Sequence, residues 1–242
     1  MNPLIRLSIV NLIFFIVMLV INYSLGYNVG YTANEQTPLI QPANYAFSIW
    51  ILIYFLLLLW IIKGFFVHGK KGSVYKQLHV LTPVNSLLNG TWVLAFTQQK
   101  LLLSTVIIFL LLFSLIRIYR NIKRNTNRGL FDLIPFSIYL GWVSIASIMN
   151  VFTYFVRNNS FPLLGIEELG WTVIALSLGC ILAVLFTLIN RDILYPLVII
   201  WSYVAIYMNI QEIAIHLVTL ISIVIISSTT LYTFISKVKS EK

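Results

Sequence analysis

Charge is what this sequence has least of. Only 10% of its 242 residues are charged and 60% are hydrophobic, where a soluble domain carries roughly 25% charged residues. A chain of that make-up has too few polar groups to cover a water-facing surface, which excludes an ordinary soluble domain. Acids are scarcer still: 7 Asp and Glu against 16 Lys and Arg, a formal net charge of +9. None of the seven falls near the middle of an apolar run, since Asp132, Asp192 and Glu212 all stand at run ends. Proton relays across a bilayer use ionisable groups at membrane depth, so proton-coupled pumping is disfavoured. The one cysteine, Cys180, lies within an apolar run and supports neither a disulfide framework nor a metal site. The three histidines are scattered: His68 in a loop, His79 at a helix start, and His216 one turn after Glu212. Ser/His/Asp sets, P-loops, dinucleotide fingerprints and metal-ligand spacings are all missing. No enzymatic chemistry and no resident cofactor or metal is expected.

Long apolar runs are what is present. A helical span needs about 20 mostly apolar residues, and eight stretches qualify: Leu4–Leu25, Tyr45–Ile62, Leu78–Phe96, Leu101–Ile122, Leu133–Phe155, Leu169–Ile189, Ile193–Met208 and Ile213–Ile235. The seventh and eighth are parted only by a turn around Asn209, Gln211 and Glu212. The first run is followed by no small-x-small cleavage site and reads as a retained helix. The expected fold class is all-α, a polytopic transmembrane helix bundle. With Arg6 placed inside, all basic residues but Lys100 and Arg157 fall on the cytoplasmic side, as the positive-inside rule requires. Four of the seven acids (Glu35, Glu167, Glu168 and Glu212) fall outside. The net charge therefore sets topology, with both termini cytoplasmic; it does not point to nucleic acid. The bilayer itself is the expected partner, and basic loops at Lys70-Lys71 and Arg120 to Arg128 suit its anionic headgroups.

Three helices carry polar and aromatic stripes. Phe47, Trp50 and Tyr54 step by three and four into the second span and share a face. Asn89, Trp92 and Phe96 do the same in the third, and Trp142, Ala146 and Asn150 in the fifth. An amide facing lipid leaves polar groups unsatisfied, so Asn89 and Asn150 should face protein or a cavity. Aromatic faces turned inward with a few polar groups have the composition of a small-molecule site. The same residues also serve as helix–helix packing or interfacial anchors; Trp60, Trp171 and Trp201 read as anchors or packing residues.

At these residues the chain resembles the TspO/MBR family, the translocator or tryptophan-rich sensory proteins. Pro42, Phe47, Trp50 and Tyr54 look like the family's loop-to-helix motif. Asn89, Trp92 and Phe96 match its third-helix pattern, and Trp142, Val143, Ser144, Ala146 and Asn150 its fifth. There are departures. The Phe47-to-Trp50 spacing is one residue short, Ala43 replaces a second proline, and Tyr154 stands where a Trp is usual. The resemblance covers about residues 5 to 157, whereas the family is a five-helix bundle. It therefore implies a TspO-like domain over 1–157 and a C-terminal extension of about three helices over 158–242. It further implies an apolar pocket that takes a flat hydrophobic ligand, porphyrin, haem-like or sterol-like, in sensing or transport. By carry-over the lining is Phe47, Trp50, Tyr54, Asn89, Trp92, Phe96, Trp142, Ala146 and Asn150. A homodimer is compatible with the resemblance. The multi-pass chain is placed in a cell membrane, and its Ile, Asn and Lys usage suits a bacterium. A permease for a small hydrophobic solute and a scaffold without ligand are the competing readings.

Overall fold

The computed structural model describes residues 3–34 and 37–240, and side chains outside 26–34 and 240. Glu35 and Lys242, which entered the charge alternation, lie outside the described residues. The helices are α1 (Pro3–Asn34), α2 (Ile49–Phe66), α3 (Ser73–Gln77), α4 (Leu81–Thr97), α5 (Leu101–Arg124), α6 (Leu130–Arg157), α7 (Glu168–Asn190), α8 (Leu194–Asn209) and α9 (Ile213–Ser240). Short 3-10 turns cover Asn44–Ser48 and Gly69–Gly72. The only bridge among the described residues joins Leu163 and Ile166.

Each expected span corresponds to one long helix, so the polytopic helical fold stands. Among the described residues, six helices are long and apolar enough to cross a membrane. The helices α4 and α8 are shorter, at 17 and 16 residues. They reach about 25 Å at 1.5 Å per residue, a little under the ~30 Å hydrocarbon thickness. Burial is inverted relative to a soluble protein. On α5, Leu102, Val106, Phe109 and Phe113 are exposed while Ser104 and Ser114 are buried, as expected where the solvent is lipid.

Two local features depart from the sequence reading. The first helix, expected to end with the apolar run at Leu25, goes on: the α1 backbone stays helical to Asn34. Gly26 and Gly30 each cost a helix only about 1 kcal/mol, and no proline intervenes before Pro38. Polarity there marks the end of the apolar run and not of the helix. The connection after α2 also contains α3, too short and too polar to register as a hydropathy peak.

The structure comprises two compact units, Met1–Glu35 with Ile49–Val143, and Gln36–Ser48 with Ser144–Lys242. They are cut by packing, whereas the 1–157 and 158–242 division was cut by motif content. In the first unit α1 packs on α2, α3 and α4, and α4 on α5. A polar seam joins these helices: the Thr82 hydroxyl donates to Asn11 Oδ1 at 2.7 Å, and Asn85 Nδ2 to Ser114 Oγ at 2.7 Å. The small helix α3 is docked through Tyr75, whose ring stacks on Trp60 at 4.4 Å and whose hydroxyl donates to the Trp60 carbonyl at 2.8 Å. Burial, and secondarily the Asp132 charge, push the Tyr75 phenol well above its usual range. Gly64 allows this close approach. A Cβ there would stand 2.5 Å from Ser8 Oγ and 2.7 Å from Tyr75 Cε1. Gly64→Ala is expected to lose about 1–3 kcal/mol in denaturant titrations in detergent, and Ser8→Gly in the same chain to recover part of it.

In the second unit α9 packs on α7 and α8. Gly179 makes room for Tyr203, whose hydroxyl donates to the Leu176 carbonyl at 2.6 Å. Phe186 stacks on Tyr195 at 4.0 Å. Asp192 accepts from the Leu194 and Tyr195 amides at 2.8 and 3.2 Å, satisfying donors that a helix start leaves unpaired.

Candidate ligand site

Trp50, on the first turn of α2, is the hub of an aromatic cluster in the first unit. Tyr54, one turn on, stacks against it with centroids 5.4 Å apart. Trp92 of α4 lies tilted at 6.0 Å. From α6, Tyr139 and Trp142 meet it edge-on at 5.7 and 6.2 Å. Phe96 extends the group, stacked on Trp92 at 5.8 Å. Offset and edge-on pairs at 4.5–7 Å are the favoured aromatic geometries, each contributing about 0.5–1.5 kcal/mol beyond burial.

A hydrogen-bonded chain runs beside the rings. Asn22 of α1 donates to Asn89 Oδ1 at 2.9 Å and to the Met18 carbonyl at 2.8 Å. Tyr54 donates to Asn22 Oδ1 at 2.9 Å and lies 3.4 Å from Asn89 Oδ1. Asn89 Nδ2 donates to the Tyr139 hydroxyl at 2.7 Å. Asn89 and Tyr139 are both fully buried. Asn89 thus faces protein, as its position in a span requires, and its polar atoms are engaged by neighbouring side chains.

A groove of about 510 Å³, lined by Leu19, Val20, Asn22, Tyr23, Ser24 and Tyr54, adjoins the cluster at Tyr54. Small-molecule sites run from ~300 to 1,000 Å³, apolar with a few convergent polar groups. Here those groups are Asn22 and Tyr54, the same pair that leads inward to Asn89.

Six of the nine residues chosen from sequence therefore come together: Trp50, Tyr54, Asn89, Trp92, Phe96 and Trp142. The other three belong to the second unit. Phe47 is half-buried in the 3-10 turn before α2, and Ala146 and Asn150 are buried on α6 one and two turns past Trp142. Asn22 and Tyr139 are the additions. Tyr139 stands at i−3 from Trp142, a spacing visible in the sequence. Asn22 shares a face of α1 with Asn11, Phe15 and Met18, at steps of four and three, a stripe not singled out above.

A family model described as TSPO-like protein matches residues 8–235. The chain belongs to the TSPO-like family. The matched stretch runs through α7 and α8 and into the last turns of α9, so the C-terminal helices of this TSPO-like protein fall inside it. No curated protein and no solved structure matches the chain. Of the residues that carried the resemblance, Tyr54, Trp92 and Trp142 meet Trp50 directly, and Phe96 and Asn89 adjoin that group.

Proposed function

We propose that this TSPO-like membrane protein binds a flat hydrophobic ligand, of the porphyrin or sterol-like class, in the groove beside Tyr54, and acts in its sensing or transport. The observation that carries the reading is the groove's position. A nearly all-apolar cleft of small-molecule size shares Tyr54 with the ring cluster and Asn22 and Tyr54 with the amide–phenol chain. Tyr54 offers a ring face for stacking. Asn22 and the Tyr54 hydroxyl offer polar contacts for a ligand edge. The protein is placed in a cell membrane with both termini cytoplasmic, on the strength of the loop charges.

Titration of protoporphyrin into the protein in lipid nanodiscs should shift the porphyrin absorbance band saturably. Absorbance is the right readout, because the Trp variants remove emitters. Asn22→Leu and Tyr54→Phe should each weaken binding roughly fivefold, as the loss of one hydrogen bond of about 1 kcal/mol implies. Trp50→Ala with Trp142→Ala should weaken it further. A wild type with no saturable shift sinks the proposal. The close packing of the rings favours one second reading, a scaffold whose aromatic cluster is purely structural. In that case the same variants lower stability and leave any porphyrin response unchanged.

A further inference from the structure

One end of the first unit is strongly cationic. Between Ile49 and Val143 the sequence holds a single acid, Asp132, and Lys63 is its ion-pair partner. On α5, Arg117, Arg120 and Arg124 step by three and four, share a face and are all exposed. The other side of the same turns, with Leu115, Ile118 and Ile122, is fully buried. Lys70, Lys71 and Lys76, in the connection after α2, are exposed as well.

The fold draws these two sets together. On α3, Ser73, Lys76 and Gln77 share a face by their spacing, and that face meets the end of α5. The Ser73 hydroxyl donates to Asn125 Oδ1 at 3.1 Å, and Asn125 Nδ2 to Gln77 Oε1 at 3.1 Å. Asn125 follows Arg124 directly, so Lys76 and Arg124 border one junction made of neutral groups. The small helix is held there by Tyr75 on Trp60 and by Gly72, where a Cβ would clash with Leu4 of α1. Setting topology requires only basic residues in a connecting segment. It does not require a folded helix pressed against a second row of cations, which costs like-charge repulsion until an anion offsets it. The surface beside the patch is oily. Phe113 and Ile116 are exposed on the same helix, and the Arg117 guanidinium lies 5.5 Å from the Phe113 ring.

We propose that α3 and the end of α5 form a binding platform for the phosphate-bearing headgroup of an anionic lipid. Lys76 and Arg124 stand at its centre, with Lys70, Lys71, Arg117 and Arg120 around them. Cations next to exposed apolar side chains match a headgroup joined to acyl chains better than they match a soluble phosphate. The surface potential of anionic lipid attracts any nearby Lys or Arg; the platform adds cations from two helices held side by side. It is independent of the ligand-binding reading.

The test measures thermal unfolding of the full chain in nanodiscs of dioleoyl phosphatidylcholine, with and without a share of dioleoyl phosphatidylglycerol. The anionic lipid should raise the midpoint by about 4 °C, as two engaged cations imply, and about 1 M salt should largely erase the rise. Lys76→Gln with Arg124→Gln should lose most of the rise, whereas Lys76→Arg with Arg124→Lys should keep it. Lys100→Gln with Lys239→Gln removes exposed charges elsewhere and should keep it too. Should the neutralised chain show no folded transition, Lys70→Gln with Lys71→Gln in the adjoining turn takes its place. Equal midpoints in the two lipids overturn the platform, as does a rise that survives neutralisation. A control that loses as much as the α3–α5 pair reduces the effect to diffuse surface charge and overturns it as well. Inorganic phosphate that raises the midpoint equally in phosphatidylcholine alone assigns the patch to a soluble anion and overturns the lipid.

Discussion

Asn89→Leu should cost the protein about 2–3 kcal/mol in unfolding titrations in detergent. The side chain is fully buried and joins three partners on three helices. Average interhelical hydrogen bonds in membranes contribute only ~0.6 kcal/mol, so the lost bonds are the smaller part. The larger part is the group left behind. Asn22 keeps the Met18 carbonyl and Tyr54 keeps Asn22 Oδ1. Tyr139, fully buried, loses its Asn89 partner. Tyr139→Phe in the Asn89→Leu background should therefore return about 1 kcal/mol or more. If the two losses simply add, Asn89 and Tyr139 are not a coupled pair.

Lys63→Met should be about as damaging, for an electrostatic reason. Asp132 is 2% exposed and has Lys63, at the end of α2, as its ion-pair partner. Its other oxygen accepts from the Gly129 amide at 2.7 Å, and the Lys63 ammonium also lies 6.0 Å from the Phe131 ring. Stranding a buried carboxylate typically costs 3–5 kcal/mol. Lys63 is about one-third exposed, so water reaches the pair and the expected loss is nearer 2 kcal/mol. Lys63→Met with Asp132→Asn should recover most of it, since the neutral amide keeps the Gly129 contact. A single variant as stable as the parent would show that the pair is fully screened.

The sequence was most legible where the bilayer dictates composition. Among the described residues, the six helices long and apolar enough to cross a membrane all appear as apolar runs, because lipid tolerates little else on an exposed face. The rule is silent wherever a helix does not touch lipid. The short α3 and the last turns of α1 escape it, being polar helices held by packing or by simple continuation. The site divides in the same way. Asn89 and Trp142 stood out because an amide or an indole in a span demands an explanation. Asn22 carried the same demand, and Asn11, Phe15 and Met18 step with it along one face of α1, but only the fold shows its partner 67 residues away. Which rings meet Trp50 depends on how α4 and α6 rotate about their axes, and that is set by long-range packing.

The groove beside Tyr54 carries a consequence for how selectivity arises. Its exposed walls include Val20 and Tyr23, so its rival occupant is an acyl chain. Between two oily environments the hydrophobic effect contributes almost nothing, just as it contributes little to helix association in membranes. Partitioning into the bilayer concentrates any apolar guest near the cleft, but it concentrates all of them alike. On the proposed ligand-binding reading, discrimination must then come from what lipid cannot imitate, namely a rigid planar face laid against Tyr54 and a donor offered to the oxygens of Asn22 and Tyr54, the two Asn22 N–H groups being already committed.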